Sequence, residues 1–301
     1  MSEPKRRPRW TVVLLVVLPI WLVASASVGI WLLFRHEKKE AEVQQARFSQ
    51  AVSTPLLADD LKKIVTVIGE RNASSETAAA NLSRMSSMID GLLGPSNTGY
   101  EVKKQKGPAT WPILHVAIRG KSDESPLWVV TSYDSPPGSK GAEANATGVA
   151  ATIAAAQALA GEKPARSIHF AFLPHANDPE SPILETATIF RDMIRENPPS
   201  SILCVEAMGG DESLWLTSRN TEAPAVSKIQ DLGKVVGAEV ACLGEDSDLA
   251  SVLFEMNLPA VRVATRPILT PGEADDREPF APTVAASAGR LVELIRRLGL
   301  H

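Results

Sequence analysis

Cysteine and histidine, the side chains that most readily hold a transition metal, are scarce: two and five among 301 residues. Two thiols, Cys204 and Cys242, exclude both a disulfide framework and a Cys-x-x-Cys metal knuckle, leaving two small buried hydrophobes or one oxidised pair. An excess of charge of either sign is also missing. With 31 basic and 35 acidic residues the net charge is −4, so no positive field exists for a nucleic acid to follow, and nucleic-acid binding is excluded. Aromatic residues reach only 5%, yet 44% of positions are hydrophobic and 22% charged. That is enough apolar material for a sizeable core, with no compositional mark of disorder.

Charge is absent altogether from residues 11–34. At about 1.5 Å per helical residue this run covers a hydrocarbon layer of roughly 30 Å. Lys5, Arg6, Arg7 and Arg9 precede it, Trp10 and Trp31 stand near its ends, and Arg35, Lys38 and Lys39 follow, partly offset by Glu37 and Glu40. The basic bias favours a cytoplasmic N-terminus. Ala24-Ser25-Ala26 has the small-x-small form of a cleavage site, so removal of the N-terminus after Ala26 is the rival reading. The apolar run continues through Ile30-Trp31-Leu32-Leu33-Phe34, longer than a signal core needs, and this favours an uncleaved signal-anchor. The expected organisation is a cytoplasmic basic tail (1–10), a transmembrane helix (11–34), a helical stalk (35–53) and a folded domain (54–301). The chain is then a single-pass protein of the cell membrane, held through residues 11–34, with its C-terminal domain outside the cytoplasm.

Within the domain, strand and helix patterns alternate. Helices are expected from Thr54-Pro55 and over 75–93, 145–159, 183–195, 224–236 and 281–298. Strands are expected over 100–102, 113–118, 127–131, 167–173, 202–205 and 260–263. Short continuous apolar strands between helices of this length predict an α/β fold, a three-layer α/β/α arrangement around a largely parallel, mixed sheet. Sites in such sheets form beyond the carboxyl ends of the strands, which directs attention to the segments after Thr131, Leu173, Val205 and Val263.

Those segments carry recognisable motifs. Val129-Val130-Thr131-Ser132-Tyr133-Asp134-Ser135 is followed by Gly141-Ala142-Glu143-Ala144-Asn145-Ala146-Thr147-Gly148-Val149-Ala150. Arg166-Ser167-Ile168-His169-Phe170-Ala171-Phe172, Cys204-Val205-Glu206-Ala207-Met208-Gly209-Gly210, Ser247-Asp248 with Leu258-Pro259-Ala260-Val261, and Leu269-Thr270-Pro271 come next in order. Together the five resemble the co-catalytic zinc aminopeptidases, peptidase family M28, over about residues 55–299. The resemblance implies the zinc-aminopeptidase fold. In active members two His, strand-end carboxylates, a bridging Asp and a Glu-Glu pair hold two zinc ions and supply the general base.

Carried across residue by residue, that machinery is degenerate here. Ser132 stands at the first His position and Leu269 at the late one. Glu143 takes the bridging position with one extra methylene, Glu206 keeps the strand-end carboxylate, and Ala176-Asn177 replace the acid pair that provides the base. Asp134, which in the family orients the first His, keeps its place. The resemblance therefore implies no confident catalytic residue and no zinc, with Ser132, Glu143, Glu206 and Leu269 as remnant ligand positions. Zinc lowers the pKa of bound water from about 15.7 to about 7, roughly 12 kcal/mol of activation. Losing the general base costs about a further 100- to 10,000-fold.

Three alternatives stay open. Asp134, Glu143 and Glu206 with His175 or Asp178 would form an oxygen-rich cluster suited to calcium, magnesium or manganese. The same carboxylates could instead be solvated at a loop rim or capped by Lys side chains and backbone N–H groups. Ser132 could act as a nucleophile if His175 were its base, although it lacks a nucleophile elbow. At the level of function, the family contains non-catalytic receptor and scaffold domains as well as cyclases. A membrane-tethered binding or scaffold module, with a peptide or protein partner at the old cleft, is thus the leading expectation. The alternatives are a metallo-hydrolase of aminopeptidase or cyclase type, using zinc or another divalent cation at a remodelled site, and a purely structural domain.

Overall fold

The computed structural model describes residues 10, 21, 25, 27–31, 35, 51–109, 111–176, 183–218, 239–242, 248–265, 275 and 277–300. The chain divides into two compact units, residues 1–47 and 48–301. In the first unit every described residue is helical, and the Arg35 guanidinium lies 5.0 Å from the centre of the Trp31 ring. Among the described residues no helix is long and apolar enough to cross a membrane. Most of the expected anchor and stalk lies outside those residues.

The second unit holds an eight-stranded sheet: β1 (Lys103–Lys106), β2 (Pro112–Ile118), β3 (Leu127–Ser132), β4 (Ile168–Leu173), β5 (Ser201–Val205), β6 (Trp215–Ser218), β7 (Glu239–Cys242) and β8 (Ala260–Ala264). Their order across the sheet is β1-β2-β4-β3-β5-β8-β6-β7. The four central strands, β4, β3, β5 and β8, run parallel, while β1 and β2 at one edge and the β6/β7 pair at the other run against their inner neighbours. All six residues of β3 are buried, as are all five of β5 and β8. Burial on both faces explains their continuous apolar runs.

Alternate residues of β3 feed two cores. Leu127 and Val129 join the larger one with α1 (Thr54–Lys62), α2 (Glu76–Leu93), α3 (Thr147–Ala158) and α6 (Ala281–Leu300). Trp128 and Val130 join the other with α4 (Ile183–Ile194) and α5 (Leu249–Glu255). The fold is therefore three layers. α3 is buried at ten of its twelve positions because it lies against both α6 and the sheet, which its alanine-rich sequence permits. α2 starts where Ser75 accepts the Ala78 N–H at 3.1 Å, and it buries Leu82, Met85, Ile89 and Leu93 at helical spacing.

Three expectations change. The strand placed at 100–102 lies instead at Lys103–Lys106. Tyr100 follows Gly99, whose φ is +80°, and its buried hydroxyl donates to the Ala156 carbonyl at 2.7 Å, so pairing with β2 begins only at Lys103. β6 and β7 were not anticipated, and neither was α5, because each is only four to seven residues long. The helix expected at 224–236 lies outside the described residues. Cys204 is a free, buried thiol, which removes the oxidised pair, and burial pushes its pKa well up.

Candidate functional site

Because β3, β4, β5 and β8 are parallel, their carboxyl ends share one sheet edge, where Ser132, Asp134, His175, Ala176 and Glu206 all stand. Glu143 reaches the same edge from the π-helical turn Ala142–Ala146 that leads into α3. Asn177, Asp178 and Leu269 lie outside the described residues.

Each remnant position among the described residues is engaged by protein groups. Ser132, at the first His position, accepts the Asn145 side-chain amide through its hydroxyl at 2.9 Å and through its carbonyl at 2.7 Å. The Asn145 side-chain oxygen, Oδ1, in turn accepts from Arg71 at 2.6 Å. Arg71 is wholly buried and donates further to the carbonyls of Tyr133, Gly69 and Lys140. Burial lowers its pKa to about 10, opposed by the charges of Asp134 and Asp275, so it stays protonated. Asp134, also wholly buried, accepts the Ala176 N–H at 3.0 Å and ties the loop after β3 to the loop after β4.

The bridging position is locked rather than open. The Glu143 carboxylate accepts the Gly209 N–H at 2.8 Å, binding the turn before α3 to the loop after β5. A Cβ at position 209 would collide with that carboxylate. Thr147 reinforces the same junction, donating to the Glu143 carbonyl at 2.7 Å and accepting the Met208 N–H at 2.8 Å. Asp275, from the late loop, accepts the N–H groups of Glu143 and Ala144 through its two carboxylate oxygens. A carboxylate on orphan N–H groups at a helical start is a stable arrangement.

The strand-end carboxylate has acquired a cation. Arg262 sits in the middle of buried β8, opposite Cys204 in register, and its Nε donates to Glu206 at 2.5 Å. Asp248 stands 3.8 Å from the same nitrogen while its other oxygen accepts the Ser251 N–H at 2.6 Å, capping α5. The Arg262 side chain is 4% exposed, those of Glu206 and Asp248 23% and 15%. A guanidinium among these carboxylates supplies positive charge that their burial requires. His175, also wholly buried, packs edge-on to Trp111 at 5.2 Å between ring centres.

These donors do not fit a dinuclear zinc site. Zinc takes His nitrogen, Cys sulfur or carboxylate oxygen and keeps an open position for water. Here Ser132 offers a hydroxyl where a nitrogen donor is expected, the Glu143 carboxylate accepts the Gly209 N–H, and Glu206 pairs with Arg262. Among the described residues no group of three or more metal-ligating side chains comes together. Arg71, Arg262 and Asp275 were not among the sequence candidates. Arg262 was legible in principle, since a lone charge inside Ala-Val-Arg-Val-Ala needs a buried partner. Asp275 acts across 132 positions and leaves no local signal.

Residues 114–176 match peptidase family M28. No curated protein matches the chain. Among solved structures, LapA aminopeptidase of Legionella pneumophila has a TM-score of 0.66 at 14% identity, over 88% of this chain and 74% of that one. A Zn-dependent exopeptidase of Parabacteroides distasonis has 0.59 at 15%, over 82% and 99%. The glutaminyl cyclase of Bacteroides thetaiotaomicron, bound to N-acetylhistamine, has 0.59 at 13%, over 82% and 99%. At these identities the likeness is one of fold. Residues 114–176 are thus similar to peptidase family M28, and the domain shares the fold of these zinc-aminopeptidase structures.

Proposed function

We propose that this is a membrane-anchored, extracytoplasmic aminopeptidase-like domain that has exchanged metal catalysis for a binding or scaffold role. The observation that carries this reading is the Arg262–Glu206 ion pair: at the carboxylate the family uses for metal, the charge is already compensated by the protein. A dication beside a buried guanidinium is repelled, by about 4 kcal/mol per unit charge at 4 Å in an effective dielectric of 20. Ser132 at the His position and Ala176 at the acid-pair position support the same conclusion, because neither supplies a zinc ligand or a general base. The peptide or protein partner would dock at the old cleft. Residues 11–34, uncharged and flanked by basic residues and tryptophans, are the proposed anchor.

The test is zinc analysis of the full-length chain purified without chelator, together with assays on aminoacyl arylamides. Substoichiometric zinc and no hydrolysis above a Glu206→Ala control are expected. Stoichiometric zinc, with turnover abolished by a chelator and recovered on adding metal, would establish the competing reading of an active metallo-hydrolase of aminopeptidase or cyclase type.

A further inference from the structure

The sheet ends on one side at β1, which pairs with β2 alone, so one row of its backbone N–H and C=O groups lies open along the edge. All four of its residues, Lys103, Lys104, Gln105 and Lys106, are exposed. Alternation places Lys103 and Gln105 on the sheet face shared with α4, across from His115 and Ile113, and Lys104 and Lys106 on the other. Lys104 meets Asp90 of α2 at 2.7 Å, with both side chains at the surface, while among the described residues no carboxylate pairs with Lys103 or Lys106. Beside Lys103, His115 Nε2 and His169 Nδ1 share a hydrogen bond of 2.8 Å, and both rings stack on Trp128. Burial depresses the basicity of both imidazoles, so they stay neutral at neutral pH and leave the charge of the edge unaltered.

We propose that β1 docks an extended acidic segment of a partner protein, which adds to the sheet as a further edge strand. An open edge is a template for any strand, and lysines along it repel a second copy of the same strand. An acidic strand turns that repulsion into attraction, because opposite charges directly across a strand pair stabilise it where like charges destabilise it. The edge thus selects by charge as well as by backbone pairing. Antiparallel pairing, the more stable per residue, fixes the pattern. Read from its N-terminus, the segment meets Lys106, Gln105, Lys104 and Lys103 in turn, which requires acid, neutral, acid, acid. Lys104 is available because an exposed ion pair such as that with Asp90 contributes little and exchanges readily. β2 and β4 separate this edge from β3, and none of the cleft carboxylates belongs to it, so the inference stands whether or not the old cleft holds a partner.

The experiment follows the fluorescence anisotropy of a labelled peptide, Thr-Val-Glu-Thr-Glu-Glu-Val-Thr, titrated with the full-length chain. Expected are a saturable rise that weakens with salt, at least tenfold weaker binding to Lys103→Glu/Lys106→Glu, and no binding once every peptide amide is N-methylated, which keeps the charge and removes the hydrogen-bond donors of the strand. The peptide with lysine in place of each glutamate should reverse the preference, binding the double variant and not the parent, which also shows that the variant is folded. Absence of saturable binding to the parent overturns the inference. So does affinity unchanged by N-methylation, which would leave charge alone, or unchanged in the double variant. Dimers of the parent chain held by this edge in sedimentation would make a second copy the occupant. Anionic phospholipid vesicles that bind through the two lysines while the peptide does not would make it a lipid surface, and either result overturns the inference.

Discussion

Arg262 shows at the scale of one residue how buried carboxylates at the strand ends are held together. Its guanidinium compensates Glu206 and stands near Asp248 on the neighbouring helix start, in a strand that is otherwise wholly apolar. Removing one partner of a buried pair leaves the other charge uncompensated, whereas removing both is far milder. Arg262→Met is therefore expected to lower stability by about 3 kcal/mol, the lower part of the buried-pair range because Glu206 retains some solvent. Adding Glu206→Met should return most of the loss in a urea-denaturation cycle. A single variant as stable as the parent would mean that the pair contributes little. The same residue governs attempts to recover the ancestral chemistry. Ser132→His, Ala176→Glu, Asn177→Glu and Leu269→His together should bind zinc poorly while Arg262 is present, and at least tenfold more tightly once Arg262→Leu is added. Isothermal titration with zinc distinguishes the two. Equal affinities would remove the guanidinium from the explanation.

At the scale of elements, the junction of α3 with the loop after β5 is the tightest near the site. A Cβ on Gly148 would collide with the Glu206 carbonyl, a backbone atom that cannot swing aside as the end of a side chain can. Gly148→Ala should cost about 1–3 kcal/mol, or somewhat more, through overpacking. Thermal unfolding measures the loss, and an unchanged midpoint would show that the helix start can shift at little cost.

The β2/β4 pairing gives a second prediction at this scale. His115 and His169 are held down to about 4, chiefly by burial; the neighbouring imidazole and then Lys103 lower His115 further, and Lys103 also lowers His169. The folded values lie below the ordinary 6.5, so between about pH 6.5 and 4 the unfolded chain binds more protons, and stability falls as pH falls through that window. Asp60 works in the opposite sense. Burial raises it to about 6, so its contribution is fully present below the unfolded value of 3.8 and is lost as pH rises through about 6. Denaturation at pH 7 and pH 5 should show a smaller acid-side loss in His115→Gln/His169→Gln than in the parent, and a larger one in Asp60→Asn. Identical pH profiles in all three chains would refute the assignment.

For the whole molecule, the proposed anchor makes the location of the domain a testable matter. The uncharged run at 11–34 and its basic flank predict that a reporter fused after His301 is active only outside the cytoplasm. A mature N-terminus at Ser27 would show that the segment is a cleaved signal instead. Either result leaves the domain exported. A reporter active in the cytoplasm would withdraw both readings.

Much of the architecture was legible in the linear sequence because it rests on local periodicity. The apolar runs at 113–118, 127–131, 167–173 and 202–205 each became a sheet strand, and the alanine-rich stretch after Asn145 became α3, since hydrophobic pattern and element type are coupled through side-chain direction. The resemblance also set Ser132 and Ala176 against the family's His and Glu, a difference of residue type that is read from the sequence. The pattern could not show what the residues at the strand ends bond to. Arg71 bonds to groups 62 to 74 positions away, Arg262 to a carboxylate 56 away, and Asp275 to N–H groups more than 130 away. Nor could it place the edge strand at Lys103–Lys106 or bring His115 beside His169. Partners so distant meet only when parallel strands align their ends at one edge or antiparallel strands settle their register. Sequence alone therefore determined the layers and which residue types stand at the strand ends, and the tertiary structure decided how those residues are paired, because charge and hydrogen-bond compensation depends on distance in space rather than along the chain.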